Sequence, residues 1–153
     1  MRIRLAVAFG ICLALAFEAA FGDERFGIPV YPGAKSDAAT VKRCTFIDQS
    51  GKKAQCFRTS DGFEKVLAFY RQQTILETTQ VYASMPPDMQ KNQVEGPKKS
   101  FDLCKKGSGD MCGFANPPAV RIMSPWSMNP NISPATKPEK YEHQDVLIVI
   151  TGY

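Results

Sequence analysis

Phe63, Val66, Leu67 and Tyr70 recur at i, i+3, i+4 and i+7, which is the spacing of one face of a helix. Asp61 followed three residues later by Glu64 has the form of a capping box. A helix is therefore expected from just after Asp61 to Gln73 or Thr74, with Lys65, Arg71 and Gln72 on its wet side. Residues 146–150 are apolar at every position, as in a strand covered on both faces. Residues 119–123 and 75–83 also read as strands, the latter from the β-propensity of Thr78, Thr79, Val81 and Tyr82. Residues 40–47 and 53–59 flank Gln49-Ser50-Gly51 and predict a β-hairpin. Tyr31-Pro32-Gly33-Ala34 has Pro and Gly at the centre of a type II turn. The polar, proline-bearing stretches 85–100 and 124–144 are expected as loops. The sum is an α+β fold, a small antiparallel sheet packed against one main helix. One helix covers one face of such a sheet, so loops or a partner must cover the other.

The N-terminus changes this picture of the chain. Arg2 and Arg4 precede an almost unbroken apolar run from Leu5 to Phe17, and Glu18-Ala19-Ala20-Phe21-Gly22 places small residues at the −3 and −1 positions of a cut after Gly22. This is the three-part pattern of a secretory signal, and its apolar run is short for a membrane span. Residues 1–22 are read as a signal peptide of bacterial type and residues 23–153 as a single α+β domain, periplasmic or secreted, with no transmembrane segment after cleavage. Cys12 is not read as a lipid-attachment site, because Ile11 stands where a small residue is needed.

Four cysteines then remain, Cys44, Cys56, Cys104 and Cys112, an even number suited to an oxidising compartment. They allow three pairings. Folding the first hairpin about Ser50 sets Cys44 opposite Cys56, and folding residues 101–113 about Ser108 sets Cys104 opposite Cys112, which favours those two bonds as staples across two hairpins. Neither spacing is the Cys-x-x-Cys of a redox enzyme, and no second cysteine pair or histidine pair completes a zinc site.

Composition narrows the function classes. The 153 residues carry a formal net charge of +4, which falls to +3 without Arg2, Arg4 and Glu18. A charge this small does not point to nucleic acid as a partner. The single histidine, His143, excludes any two-histidine reaction centre within one chain. The methionines are too scattered for a cuprous thioether site, so no metal and no cofactor is expected.

The segment Ile28-Pro29-Val30-Tyr31-Pro32-Gly33-Ala34, followed some thirty residues on by Ser60-Asp61-Gly62-Phe63-Glu64-Lys65-Val66-Leu67-Ala68-Phe69-Tyr70-Arg71, resembles a recurring pattern of small exported bacterial envelope domains of unknown function. In these a P-x-YPGA turn precedes a hairpin and a helix bearing V-x-x-FY. The resemblance spans residues 28–73 and implies an exported α+β domain. It supplies no catalytic residues.

No nucleotide-binding loop, serine elbow or zincin motif is present in the sequence, and no catalytic residue is assigned. The candidate binding residues are Trp126, Met123 and Met128, since tryptophan is a favoured interface anchor and methionine adapts to irregular surfaces. The opposite expectation for Trp126 is that it folds back to cap the sheet. The reading is a non-catalytic binding or interaction domain of the cell envelope, whose partner is an envelope protein or surface. The alternatives are a protein holding a small apolar ligand between helix and sheet, and a hydrolase with a site near His143 and its neighbouring carboxylates.

Overall fold

The computed structural model describes residues 23–48, 53–109, 112, 118–129, 131–133 and 135–153. The signal-peptide reading and the Gln49-Ser50-Gly51 turn lie outside these residues. A two-stranded ribbon, β1 (Glu24–Arg25) and β2 (Ile28–Pro29), opens the described chain. Phe26 and Gly27 turn it with φ of 55° and 70°, the double left-handed turn that suits a tight hairpin. The expected turn at Tyr31–Ala34 is present, closed by the Ala34 N–H on the Tyr31 carbonyl at 3.0 Å, with Gly33 at φ 77°.

The chain then runs through helix α1 (Ala38–Asp48), strand β3 (Lys53–Thr59), helix α2 (Phe63–Arg71) and strand β4 (Leu76–Thr78). Helices α3 (Gln80–Ala83) and α4 (Pro87–Glu95) and strands β5 (Lys99–Lys105), β6 (Ala119–Ser124) and β7 (Val146–Gly152) complete it, with a 3-10 turn at Pro138–Lys140. The five long-range strands form one antiparallel sheet in the order β3-β7-β6-β5-β4. The α+β class with two disulfides is therefore observed, and none of its described helices is long and apolar enough to cross a membrane.

β7 lies between β3 and β6 and is buried at all seven positions. Val146, Ile148 and Ile150 join Phe101, Leu103, Val120, Ile122 and Phe57 beneath α2, whose Phe63, Val66, Leu67 and Tyr70 are buried as the periodicity predicts. Leu147 and Val149 point the other way, into a second cluster with Cys44, Ile47, Ala54, Cys56 and Trp126. The second face over β3 and β7 is thus covered by α1 and the Trp126 loop, both from this chain. Gly152 closes β7 where the Phe26 ring lies so near that an added Cβ would meet it at 2.2 Å.

Several expectations are corrected. Residues 40–47 are helix, not strand. The backbone N–H of Thr40 donates to Asp37 Oδ1 at 2.9 Å and that of Asp37 to Thr40 Oγ1 at 2.8 Å, a reciprocal cap that starts α1. Thr40, Cys44 and Ile47 are its buried positions, at i, i+4 and i+7, a stripe hidden in the sequence by β-branched neighbours. There is consequently no first hairpin. The second staple does not span a ladder either: Cys104 lies opposite Ala119, and Cys112 sits outside the strands. Asp61 does not cap α2, whose N-cap is Gly62 without a side-chain bond. The strand expected over 75–83 stops at Thr78, because the Thr79 Oγ1 accepts the Tyr82 N–H at 3.2 Å and begins α3. The loop expected over 85–100 contains α4, entered through Pro87 at its first turn, where proline's fixed φ and missing N–H cost nothing.

Both disulfides join the pairs expected from the sequence, Cys44–Cys56 and Cys104–Cys112. The first ties a helix to a strand, with the Cα atoms 5.7 Å apart.

Candidate functional site

The Trp126 loop is built inward. Trp126 and His143 exchange backbone hydrogen bonds of 2.9 and 3.1 Å, and their rings stack with centroids 4.0 Å apart. The indole Nε1 donates to Asp145 Oδ1 at 2.9 Å. The other oxygen of Asp145 accepts from Arg58 Nε at 2.6 Å, and Arg58 Nη1 reaches Asp37 at 3.2 Å. The Asp145 hydrogen bond raises the affinity of Arg58 for its proton, while the Thr40 N–H and then Arg58 hold the Asp37 carboxyl below its ordinary range. One arginine therefore joins β3, the start of α1 and the approach to β7. Met123 and Met128 pack against the cluster that holds Trp126, so the three candidate binding residues share one apolar cluster. Trp126 is only 1 % exposed, however, and fills the second sheet face rather than standing out as an anchor.

The same contacts account for the groups around His143. Glu142 accepts from the Met128 N–H at 2.9 Å and the Ser127 Oγ at 3.1 Å, contacts that lower its pKa. Asp145 is held by Arg58 and Trp126. The Ser127 hydroxyl thus faces a carboxylate and not the imidazole, and His143 Nε2 is buried with no hydrogen-bond partner. A nucleophile–base–acid relay needs each group within hydrogen-bond reach of the next, and that chain is not assembled here. No cluster of three or more metal-ligating side chains occurs among the described residues.

The surface suited to a ligand lies on the other side of the molecule. α2 and α4 flank a groove of about 410 Å³, lined by Phe63, Leu67, Ala68 and Val94, with Glu64, Arg71, Gln72 and Glu95 at its edges. That volume falls in the range of small-molecule sites, and an apolar floor with a few polar groups is their usual composition. Phe63 and Leu67 belong to the buried stripe of α2, whereas Ala68 is exposed on its shoulder. Both rim carboxylates have a lysine partner. Lys99 pairs with Glu64 and keeps that carboxyl below its ordinary pKa, Lys91 lies 3.7 Å from Glu95, and the Arg71 guanidinium stands 4.6 Å over the Phe101 ring. These charges stand at the edges, and the floor between them is apolar.

Half of this groove was legible in the sequence and half was not. The α2 wall follows from its apolar period. The α4 wall lacks one, since none of its residues is buried, and its sequence signal was Pro86-Pro87-Asp88, a helix-start pattern. The two motifs of the envelope resemblance meet in the fold: the Tyr31 N–H donates to the Tyr70 hydroxyl at 3.1 Å, the Tyr31 hydroxyl donates to Asp61 Oδ2 at 2.6 Å, and Phe69 packs edge-on to Tyr31. They are joined as a structural latch at the base of α2. No protein-family model, no curated protein and no solved structure matches the chain.

Proposed function

We propose that the protein is an exported, periplasmic binding domain of the bacterial envelope, non-catalytic, with the α2–α4 groove as the surface that receives an apolar group of an envelope component. The observation that carries this reading is the groove itself, an apolar floor of ligand-pocket size whose two rim carboxylates each have a lysine partner. The signal-like N-terminus and the two disulfides support export, since such bonds persist in oxidising compartments. The buried Trp126 moves the binding surface away from the loop to the helix pair.

The test uses protein recovered from the periplasmic fraction of an expressing bacterium and the neutral fluorophore N-phenyl-1-naphthylamine. The expected result is saturable fluorescence enhancement, with affinity reduced at least tenfold (about 1.4 kcal/mol) in Ala68→Glu. Ala68 is exposed, so the variant's thermal midpoint should stay close to that of the parent. An absence of saturable binding, or equal affinity in the variant, removes the groove from the proposal. Recovery only from the cytoplasm with free thiols removes export.

A further inference from the structure

The groove between α2 and α4 differs at its two ends. Glu64, Ala68 and Arg71 follow one another at i, i+4 and i+7 on the exposed shoulder of α2, and all three line the groove. It therefore runs along the helix for two turns, about 10 Å. At its start Glu64 is paired with Lys99, and on the α4 wall Glu95 is paired with Lys91, so each of these sites sums to no net charge. At the other end stands Arg71, with Gln72 beside it. The Arg71 guanidinium lies 4.6 Å over the ring of Phe101, a buried member of the main core, within the range of a cation–π contact. The ring holds one face of the guanidinium and leaves the N–H donors around its edge uncommitted. Among the described residues no carboxylate forms an ion pair with Arg71 and no acceptor takes one of its side-chain N–H groups.

An apolar floor with one uncompensated cation at its end selects among apolar guests. A chain laid on Phe63, Leu67 and Val94 is removed from water, which favours any hydrocarbon. The head at the end of that chain decides the rest. A cationic head is repelled by Arg71, and a neutral head gains little from it. An oxyanion head meets a flat guanidinium fork that stays charged at every accessible pH, and Gln72 adds an amide at the same end. We infer that the occupant of the groove is a single-chain amphiphile with an oxyanion head, of the fatty-acid kind, its chain along α2 and its head on Arg71. The inference rests on the reading of this groove as the binding surface and names the chemistry that the surface selects.

The experiment loads the disulfide-intact protein with N-phenyl-1-naphthylamine and displaces it, below the micelle-forming concentrations, with two amphiphiles of equal chain length and opposite head, dodecanoate and dodecyltrimethylammonium. A pH of about 8 keeps the carboxylate ionised. Dodecanoate is expected to displace the fluorophore at about one tenth of the concentration that dodecyltrimethylammonium requires. Arg71→Gln should abolish that preference while the fluorophore binds with unchanged affinity. Lys42→Gln makes the same change in net charge at an exposed position of α1, on the opposite sheet face, and should retain the preference. Equal displacement by the two heads, a preference that survives in Arg71→Gln, or one lost as fully in Lys42→Gln overturns the inference and leaves the groove reading standing. A fluorophore that does not bind at all overturns the groove reading, and the inference falls with it. The comparison of the two heads on the parent protein decides the matter even if Arg71→Gln does not fold.

Discussion

Tyr70 shows how much one hydroxyl can organise. It lies on the buried stripe of α2, where a phenylalanine would satisfy the apolar pattern equally well. Its oxygen instead accepts the Tyr31 N–H at the head of the Pro32-Gly33 turn. Burial drives its pKa well above the ordinary tyrosine value, so the hydroxyl remains protonated. Tyr70→Phe strips the acceptor from a buried N–H, a loss of about 1–3 kcal/mol. Urea unfolding should show that loss as a lower midpoint with an unchanged slope. An unchanged midpoint would mean that water replaces the hydroxyl and that the latch contributes nothing. Trp126 follows the same logic on the opposite face: its apolar body fills the second core while its single N–H is spent on Asp145.

At the scale of elements, α1 is the piece whose place depends most on a covalent tie. Its buried stripe is narrow, with Thr40, Cys44 and Ile47, and short helices gain most of their stability from packing rather than propensity. The Cys44–Cys56 bond supplies part of the anchoring, with a sequence separation of 12 residues. By loop entropy it is worth about 3 kcal/mol. The Cys44→Ser, Cys56→Ser double variant should therefore unfold about 10 °C lower in a thermal scan. Because α1 covers the Leu147–Val149 face, the same variant should lose amide protection in α1 before it does so in α2. Equal loss in both helices would show that α1 and the rest of the sheet open as one unit. α4 differs again: it lies on the sheet's flank with no fully buried residue, and Val94 is its contribution to the main core.

At the scale of the molecule, the ionisable groups set a pH window for stability. Asp37, Asp61, Glu64 and Glu142 all have pKa values held below the ordinary carboxylate range, through hydrogen bonds with Thr40, Tyr31, Lys99 and Met128 respectively. A depressed carboxyl pKa contributes stability that is complete above the unfolded value and is lost as pH falls through the folded one. Tyr31 and Tyr70 are raised above 10.0, chiefly by burial. Their contribution is complete below pH 10 and is lost as pH rises through their folded values. The thermal midpoint should thus be level from about pH 5 to pH 9 as far as these groups control it, falling below about pH 4 and above about pH 10. A midpoint that climbs steadily as pH drops from 5 to 3 would contradict the carboxylate contacts.

The residues that could be read from the sequence were those whose signal is local or periodic. The α2 stripe, the all-apolar β7, the Pro32-Gly33 turn and the α+β class follow from spacing and backbone chemistry that short segments carry themselves. The disulfide partners were also anticipated, but for Cys44–Cys56 the geometry was not: a hairpin was expected, and a helix laid against a strand brings the same sulfurs together. Thr40, Val41, Thr45 and Ile47 favour a strand by propensity, and the Asp37–Thr40 cap with burial against β3 and β7 outweighs it, because tertiary packing exceeds the few tenths of a kcal/mol per residue that propensity supplies. The same holds for what covers the second face. A period-two pattern says that Leu147 and Val149 need cover, and only long-range contacts decide that α1 and Trp126 provide it. The pairing of the two groove walls belongs to that second category, since it sets α4 beside α2, and no local pattern records which side chains the fold will leave beside one another.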